Sequence, residues 1–490
     1  MNGVAPDAAA LPHAWARTHR VVLRSEGNEG NEGNKGEVPC LVVCERTPGW
    51  AIAEARLRLG ALPLKQVSSQ EMDALLGASY AETGDAASVV GAVEQQVDLD
   101  RLMQDMPAVT DLLDAQDDAP VIRMINALLA QAARDGASDI HLESFETHSV
   151  VRYRVDGTLR DVVAPRRALH AALISRIKIM SQLDIAEKRL PQDGRITLRV
   201  GGRPIDVRVS TVPTAHGERA VLRLLEKDAG RLRLERLGMA SDTLAELTRL
   251  VRQPHGIVLV TGPTGSGKTT TLYAALSQLD MSTSNILTVE DPVEYDLPGI
   301  GQIPVHGKIG MTFGAALRAA LRQDPDNIMI GEIRDLETAQ IAVQSSLTGH
   351  GVLASLHTND AVSAVTRMTD MGIEPFLLSS SLLGVLAQRL VRCLCPACKA
   401  PRETPEGGVT YVAVGCAACG HSGFKGRTGI HELFVVHDDV RRLIHEGGDE
   451  QAMRAAAARR GMRSMREDGQ RWVREGVTTA EEILRVTRDA

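Results

Sequence analysis

The chain has 490 residues, a length that suggests about three domains. Hydrophobic residues make up 43% and charged residues 24%, so ordinary cores can be buried and the chain is not disordered as a whole. Only 3 Trp, 5 Tyr and 5 Phe are present, and the formal net charge is −7. Both facts argue against aromatic base-stacking surfaces and general polyanion binding, so we expect no nucleic-acid partner.

Hydropathy argues against a membrane or secreted protein. No run of about 18 apolar residues occurs, so no transmembrane helix is expected. The longest apolar stretch, 376–391, is interrupted by Ser, Gln and Arg and is predicted to be one packed helix. The first 20 residues lack the compact apolar segment and cleavage site of a secretory signal.

Residues 1–85 are predicted to form a small N-terminal domain with strands near 21–23 and 41–43 and a helix near 51–59. The Gly/Asn/Glu-rich tract Glu26–Glu37 is expected to be a surface loop, because it cannot bury a core. Residues 80–119 hold ten acidic side chains and one basic, a net charge of 1 − 10 = −9. We interpret 86–117 as an acidic interdomain linker.

Residues 118–230 are predicted to form a mixed α+β domain. A helix is expected to begin at Pro120, with Asp118 as its cap and Gly136 as its stop. The dipeptides Asp156-Gly157 and Gly201-Gly202 predict two tight hairpins. The remaining predicted elements are a helix at 168–188 and strands at 150–155, 158–163, 195–200 and 203–210.

Residues 237–390 are predicted to form an α/β core. Continuous apolar runs alternate here with helical segments, which indicates a parallel sheet covered on both faces. The runs are 257–261, 286–290, 328–330 and 352–356. The segment 431–490 is predicted to be helical, with a capping box at Thr478-x-x-Glu481.

A complete phosphate-binding motif lies between the first of these strands and a helix. It consists of Gly262, Pro263, Thr264, Gly265, Ser266, Gly267, Lys268 and Thr269. The glycines let backbone N–H groups turn toward phosphate oxygens, and the helix N-terminus adds partial positive charge. Lys268 is expected to reach the β- and γ-phosphates of ATP, and Thr269 to ligate Mg²⁺. The alternative, a chance glycine-rich turn, does not explain the strand before the loop and the helix after it.

Hydrolysis also needs a carboxylate that orients water. Glu332, at the end of an apolar strand, is predicted to have this role. A second cluster, Glu290, Asp291 and Glu294, is predicted to hold Mg²⁺ directly or through water. The alternative for the cluster is a solvated acidic loop.

Two histidines and two sets of arginines are further candidates. His350 and His357 lie seven residues apart, which is not the spacing of a metal site on a helix, so no metal is assigned to them. Two roles stay open for them: sensing the γ-phosphate of ATP, or a structural role in the sheet. Arg208 and Arg223 lie on predicted strands and need an anion, which a nucleotide would supply; solvation is the alternative. Arg318, Arg322 and Arg334 crowd Glu332 in sequence and are candidate arginine fingers toward a neighbouring subunit.

The segment 391–430 is predicted to be a zinc module. Its pattern C-x2-C-x17-C-x2-C is typical of a closed four-thiolate structural Zn²⁺ site, which leaves no open position for catalysis. The predicted ligands are Cys395, Cys398, Cys416 and Cys419. Cys393 is left out because its use would widen the first spacing to C-x4-C. A redox pair is the alternative.

These motifs, in this order, resemble the secretion ATPase superfamily, and most closely the type II secretion system ATPases (general secretion pathway protein E), which are close to type IV pilus assembly ATPases. The resemblance rests on 262–269, 290–295, 331–335, 349–360 and the paired cysteines, and 11–17 favours the secretion branch. It implies a RecA-like P-loop core after a mixed domain and a small N-terminal domain.

The resemblance also implies roles for the candidate residues. Glu290, Asp291 and Glu294 match an aspartate box, His350 and His357 match a histidine box, and Glu332 closes a Walker B motif in which Gly331 replaces an acid. Arg208 and Arg223 match arginines that clamp nucleotide from the preceding domain, and Arg318, Arg322 and Arg334 match others around the site.

The sequence therefore predicts an ATPase that uses ATP, Mg²⁺ and structural Zn²⁺ and drives pseudopilus assembly and protein export in a type II secretion system. From the resemblance we expect a homo-hexamer on the cytoplasmic face of the bacterial inner membrane. Its N-terminal domain is expected to dock on the cytoplasmic domain of an inner-membrane secretion component. Three alternatives stay open: a type IV pilus extension ATPase, a P-loop nucleic-acid translocase, and a nucleotide-binding scaffold without hydrolysis.

Overall fold

The structure is a computed structural model that describes residues 13–27, 37–69, 71–72, 75, 120–200, 203–226, 233–403 and 409–487. The chain divides into two compact units, Met1–Lys227 and Asp228–Ala490. Most of the tract at Glu26–Glu37, the acidic linker 86–117, the cap Asp118 and the pair Gly201-Gly202 lie outside the described residues. The bounds of the six predicted segments stay predictions.

The first part of unit one is a small three-stranded sheet with two helices. Its elements are α1 (His13–His19), β1 (Val21–Gly27), β2 (Glu37–Cys44), α2 (Gly49–Leu59) and β3 (Leu64–Val67). The strand order is β1-β2-β3, with β1 antiparallel and β3 parallel to β2. Alternate residues of β1 enter two apolar clusters, since Val22 lies in one and Leu23 in the other. The two strands and the helix predicted here are confirmed.

The second part of unit one is a six-stranded antiparallel sheet of order β6-β5-β4-β9-β8-β7. Its elements are α3 (Pro120–Arg134), β4 (Ala137–Ser144), β5 (Ser149–Val155), β6 (Thr158–Val163), α4 (Arg167–Met180), β7 (Gln192–Val200), β8 (Arg203–Thr214) and β9 (Gly217–Glu226). Apolar side chains of both helices and of one sheet face form a single core. Asp156 and Gly157 both have positive φ, 50° and 82°, as the predicted hairpin turn requires.

The predicted helix 168–188 was too long. Helix α4 ends at Met180, and Gln182 adopts a left-handed φ of 57°. The buried Lys178 then holds the loop that follows, because its Nζ donates to the carbonyl of Glu187 at 2.8 Å. Apolar residues continue at helical spacing past Met180, to Leu183 and Ile185, so the sequence predicted a longer helix. The contact between Lys178 and the carbonyl of Glu187 is not visible in such a pattern.

Unit two is built on a seven-stranded sheet of order β12-β11-β13-β14-β10-β15-β18. Its strands are β10 (Gly256–Thr261), β11 (Ile286–Glu290), β12 (Gly301–Pro304), β13 (Asn327–Ile330), β14 (Gly351–Leu356), β15 (Leu382–Leu394) and β18 (Phe424–Val435). All neighbours are parallel except β15 and β18. Between the last two, β16 (Ala400–Glu403) and β17 (Val409–Val412) form a separate two-stranded sheet. The four predicted strands and the α/β fold class are confirmed.

Helices cover both faces of this sheet. They are α5 (Ser241–Val251), α6 (Lys268–Leu276), α7 (Phe313–Ala320), α8 (Leu336–Leu347), α9 (Ser363–Asp370), α10 (Pro375–Ser381), α11 (Asp438–His445), α12 (Glu450–Arg459), α13 (Met465–Arg474) and α14 (Ala480–Val486). Ile257 and Leu259 enter the core on one face, and Val258 and Val260 enter the core on the other. Every residue of β10 is therefore buried.

Two predictions in unit two were wrong in detail. The apolar stretch 376–391 is not one helix, because α10 ends at Ser381 and β15 begins at Leu382 between β10 and β18. The last helix is capped by Thr479, which accepts from the Glu482 N–H at 3.2 Å, one residue later than the predicted box. Among the described residues, no helix combines the length and apolar character that a membrane crossing requires.

Candidate active site

The phosphate-binding loop lies at the carboxyl end of the buried central strand β10. Gly262, Gly265 and Gly267 all have positive φ, at 147°, 79° and 89°, which side-chain-bearing residues rarely adopt. A Cβ at Gly262 would lie 2.4 Å from the carbonyl oxygen of Gln388, so this position has no room for a side chain. Helix α6 begins directly after the loop, at Lys268.

The side chains of the loop suit a phosphate ligand. The Ser266 hydroxyl is buried and has no hydrogen-bond partner among the described residues. The Lys268 ammonium donates to the carbonyls of Gly262 at 2.8 Å and Pro263 at 3.2 Å, acceptors that phosphate oxygens can replace. Thr269 lies in the first turn of α6, and its role as a Mg²⁺ ligand stays a prediction.

Three strand ends bring charged side chains beside Lys268. His357 follows β14, and its Nδ1 lies 3.5 Å from Lys268 Nζ. Glu332 follows β13, and its Oε2 lies 3.5 Å from His357 Nε2 while its Oε1 pairs with Arg334. Arg334 also lies 4.0 Å from Asp291, which follows β11. The structure thus brings these five predicted residues into one row.

Burial and neighbouring charges alter the titration of this row. Burial lowers the pKa of Lys268, and the charge of Glu332 opposes this shift. Burial also lowers the pKa of His357, and the positive charge of Lys268 lowers it further, against the effect of Glu332. The imidazole of His357 is therefore neutral at pH 7, while Lys268 remains the cation inside the loop.

Glu290 is placed differently from the rest of its cluster. It is buried, and its oxygens accept from the hydroxyl of Thr288 at 2.5 Å, from the amide of Gln302 at 3.0 Å, and from the Tyr273 hydroxyl. Burial and the Glu290 charge raise the pKa of Tyr273, so its phenol stays protonated as a donor. Asp291 is more exposed. The predicted role of Glu290, Asp291 and Glu294 at Mg²⁺ stays a prediction for all three.

The structure does not bring the two predicted histidines together. His350 precedes β14 and His357 follows it, so they lie at opposite ends of this central strand. His350 Nδ1 lies 2.8 Å from the carbonyl of Ser345, and its own carbonyl accepts from Gly256 at the start of β10. Within one chain, His350 therefore belongs to the end of β14 away from the phosphate loop.

Arginines of unit one have carboxylate partners in their own sheet. Arg208 and Arg223 face each other in register on β8 and β9. Arg223 donates to Asp139 at 2.8 Å. Asp139 is buried, so the anion that the sequence predicted is at least partly supplied from within the domain. The role of both arginines toward nucleotide stays a prediction.

Two further predicted arginines lie around α7. Arg318 pairs with Glu337 at the start of α8, and Arg322 donates to the carbonyl of Arg318 at 2.8 Å. Both guanidinium groups are on the surface. Their predicted role as fingers toward a neighbouring subunit stays a prediction.

The four predicted zinc ligands, Cys395, Cys398, Cys416 and Cys419, converge. Their Sγ atoms all lie within 4.8 Å of one another, and three of the pairs are 3.8 to 3.9 Å apart. Tetrahedral Zn²⁺ with Zn–S bonds of about 2.3 Å requires about 3.8 Å between sulfurs. Backbone N–H groups of Gly415, Cys416 and Gly423 donate to these sulfurs, which suits thiolates. The cluster fits structural Zn²⁺.

Sequence reasoning missed the polar residues that support the site. Gln388 contacts the phosphate loop from β15, and Tyr273 and Gln302 hold Glu290. None belongs to a motif used in the sequence analysis. The only available signal was a polar residue, Gln388, inside a long apolar run.

A lysine-bearing glycine loop after a buried parallel strand, with a carboxylate at the end of a neighbouring strand, is the mark of the P-loop ATPases, and the chain is an enzyme of this class. The Type II/IV secretion system protein family matches residues 114–485, and the chain belongs to this family. The predicted resemblance and the predicted ATPase activity are thereby confirmed.

Relatives with high identity agree. The chain is 71% identical over 480 residues to the type II secretion system protein HxcR of Pseudomonas aeruginosa, covering 98% of this chain and 99% of that protein. It is 58% identical over 401 residues to the type II secretion system ATPase E of Vibrio cholerae, covering 79% of this chain and 80% of that protein. Among solved structures, the pilus retraction motor PilT with bound ADP matches at a TM-score of 0.53 and 26% identity, covering 74% of this chain and 96% of that one.

Proposed function

We propose that this chain is the ATP-hydrolysing motor of a type II secretion system, and that it drives pseudopilus assembly and protein export. One observation carries the proposal: Lys268, His357 and Glu332 form a row beside an intact phosphate loop, in a chain whose high-identity relatives are named type II secretion proteins.

The chemistry needs positioning and charge neutralisation only. Backbone N–H groups of the loop cradle the phosphates, and Lys268 neutralises charge that develops on them. Glu332, which is only 17% exposed, orients the attacking water. Thr269, with Asp291 and Glu294, would hold Mg²⁺, which supplies further charge neutralisation. Arg334 and His357 hold Glu332 in place.

The remaining arginines extend this proposal to an assembly. The chain works as a homo-hexamer, in which Arg318 and Arg322 act on the nucleotide of a neighbouring subunit, and Arg208 and Arg223 contribute from the mixed domain. Ring assemblies of one chain present one face to the next subunit, so residues far from the chain's own phosphates can complete the neighbour's site.

The site of action is the cytoplasmic face of the inner membrane, where the N-terminal domain docks on the cytoplasmic domain of a secretion component. Helix α2 offers a surface for this contact. Trp50 and Leu57 are 56% and 86% exposed and lie seven residues apart, which places them on the same helix face. Such exposed apolar pairs are typical of interaction sites.

The decisive experiment is the Glu332→Gln variant of the full-length chain. We expect it to bind ATP with unchanged affinity in calorimetry and to lose phosphate release by about 100-fold or more, because a neutral amide cannot orient the attacking water as the carboxylate does. Glu446→Gln, at an exposed helix end, serves as the control and should hydrolyse like the parent chain. Full turnover by Glu332→Gln would remove Glu332 from this role.

A type IV pilus assembly ATPase is the second candidate, and the structural match to the pilus retraction motor PilT supports a motor of the pilus kind in general. The chemistry is the same and the membrane partner differs. Co-purification from membranes separates the two, because a type II secretion motor should be retained by a secretion membrane component and a pilus motor by a pilus one.

A further inference from the structure

The side chain of Gln388 on β15 contacts the phosphate loop from behind. Strand β15 runs parallel to β10, with Ala387 opposite Thr261, so Gln388 stands beside the point where the loop begins. Its side chain is 3% exposed. The loop approaches so closely that a Cβ at Gly267 would lie 3.2 Å from the Gln388 amide nitrogen.

Both ends of this amide are used. The Gln388 Nε2 donates to the carbonyl of Ser266 at 2.7 Å, and its Oε1 accepts from the hydroxyl of Thr271 at 2.7 Å. A carbonyl oxygen can only accept, so the orientation of the amide is fixed by its partners. One side chain thus joins the phosphate loop to the first turns of α6.

The contact with Ser266 has a consequence for phosphate binding. In a trans peptide the carbonyl and the following N–H point in opposite directions. Holding the Ser266 carbonyl against Gln388 therefore turns the N–H of Gly267 away from β15 and leaves it available to a phosphate oxygen. The contact with Thr271 fixes the helix turn that carries Lys268 and Thr269.

We propose that Gln388 is a positioning residue for ATP binding, which holds the Ser266–Gly267 peptide and the start of α6 in the geometry that receives the phosphates. It acts through these two partners and not by touching nucleotide. The proposal rests on nucleotide binding at the phosphate loop, and binding of Mg·ADP to the parent chain is the reference for every comparison.

The test uses the full-length, zinc-loaded chain with Mg·ADP as the calorimetric probe. Gln388→Leu keeps the volume and removes both hydrogen bonds, so we expect the dissociation constant and the KM for ATP to rise about tenfold or more. kcat should fall less, by about threefold at most, since Gln388 acts on the binding of the phosphates and not on the water that Glu332 orients. Gln344→Leu, an exposed glutamine on α8, should change none of these values.

A second variant separates positioning from bulk stability. In Gln388→Glu, the ionised carboxylate cannot donate to Ser266, whereas the protonated acid can, and burial favours the protonated form. Its nucleotide affinity should therefore recover several-fold more between about pH 8 and pH 6 than that of the parent chain or of Gln388→Leu. A purely structural residue would show no such difference.

Two results would overturn the proposal. One is an unchanged dissociation constant in a folded Gln388→Leu chain while the parent binds Mg·ADP. If Gln388→Leu loses its zinc or shows no melting transition, the Thr271→Val variant is used instead, because it preserves the side-chain shape and removes one of the two hydrogen bonds of Gln388. The second overturning result is an unchanged affinity of that variant for Mg·ADP. If the parent itself binds no nucleotide, the proposed function fails and this inference fails with it, whereas either result above would overturn the inference alone.

Discussion

At the scale of single residues, the site depends on carboxylates with different environments. Glu332 contacts Arg334 and His357 and is still 17% exposed, so water can reach it. Glu290 is buried, and its oxygens accept hydrogen bonds from three side chains. The two glutamates lie at the carboxyl ends of the neighbouring strands β11 and β13 and look alike in sequence. Their different burial and hydrogen bonding agree with the proposal that Glu332, and not Glu290, orients the attacking water.

His357 should make nucleotide binding depend on pH. Burial and Lys268 lower its pKa, so the imidazole is neutral at pH 7 and gains a proton only as the pH falls. A bound triphosphate adds negative charge nearby and raises the pKa of His357, so binding should take up a fraction of a proton at about pH 6.5. Affinity should rise as the pH falls toward about 6.

Calorimetry in buffers of different ionisation enthalpy measures this uptake. The His357→Gln variant should lose the part of the uptake that belongs to the imidazole, while protonation of the nucleotide itself persists in both proteins. His350→Gln is the matched control, because His350 lies at the other end of β14. Equal uptake by the parent and by His357→Gln would contradict the prediction.

At the scale of elements, sequence patterns predicted the helices and strands whose structure does not depend on distant parts of the chain. The buried parallel strands and the loop before Lys268 were predictable, because continuous apolar runs and a fixed motif carry them. Strand β15 was not, since β10 and β18 pair with both its edges and helices cover both its faces, which removes the period-two signal. The partners of Gln388 are 117 and 122 residues away in sequence, beyond any local pattern.

The zinc module should be a structural element joined to the sheet. Cys395 directly follows β15 and Cys419 precedes β18, so the metal closes the end of this antiparallel pair. Lys399 and Leu394 also bond to the backbone of Gly476 and Val477, before α14. Loss of zinc should therefore loosen the carboxyl-terminal helices as well as the module.

Cys416→Ser tests this at the element scale. We expect the zinc content, measured by inductively coupled plasma mass spectrometry, to fall from about one ion per chain to well under half of that. The melting temperature should fall, and amide hydrogen exchange should become faster in β18 and α14. Cys393→Ser is the control and should keep its zinc, since Cys393 is not in the cluster. The contrary outcome is equal zinc loss in both variants.

At the scale of the whole molecule, the sequence analysis predicted features of one chain and also contacts between chains, and the structure of one chain shows only the former. Unit two holds the phosphate loop, Glu332 and the zinc cysteines, and each was predictable from a motif. Arg318 pairs with Glu337, and Arg322 donates to the carbonyl of Arg318. Within the part of the chain that the structure describes, neither is hydrogen-bonded to the phosphate loop. Their predicted role toward a neighbouring subunit requires an assembly, and local patterns in the sequence of one chain do not encode that assembly.

Mixing two inactive variants tests whether the subunits share sites. Lys268→Ala chains lack a working phosphate loop but present Arg322, and Arg322→Ala chains keep the loop but lack the finger. In an equal mixture that exchanges subunits, half of the sites have an intact loop and half of those meet an intact Arg322, so roughly a quarter of the parent rate should return. Each variant alone should be nearly inactive, and phosphate release from the mixture is the measurement. If the mixture stays as inactive as its components while sedimentation shows mixed rings, Arg322 acts within its own chain or not at all.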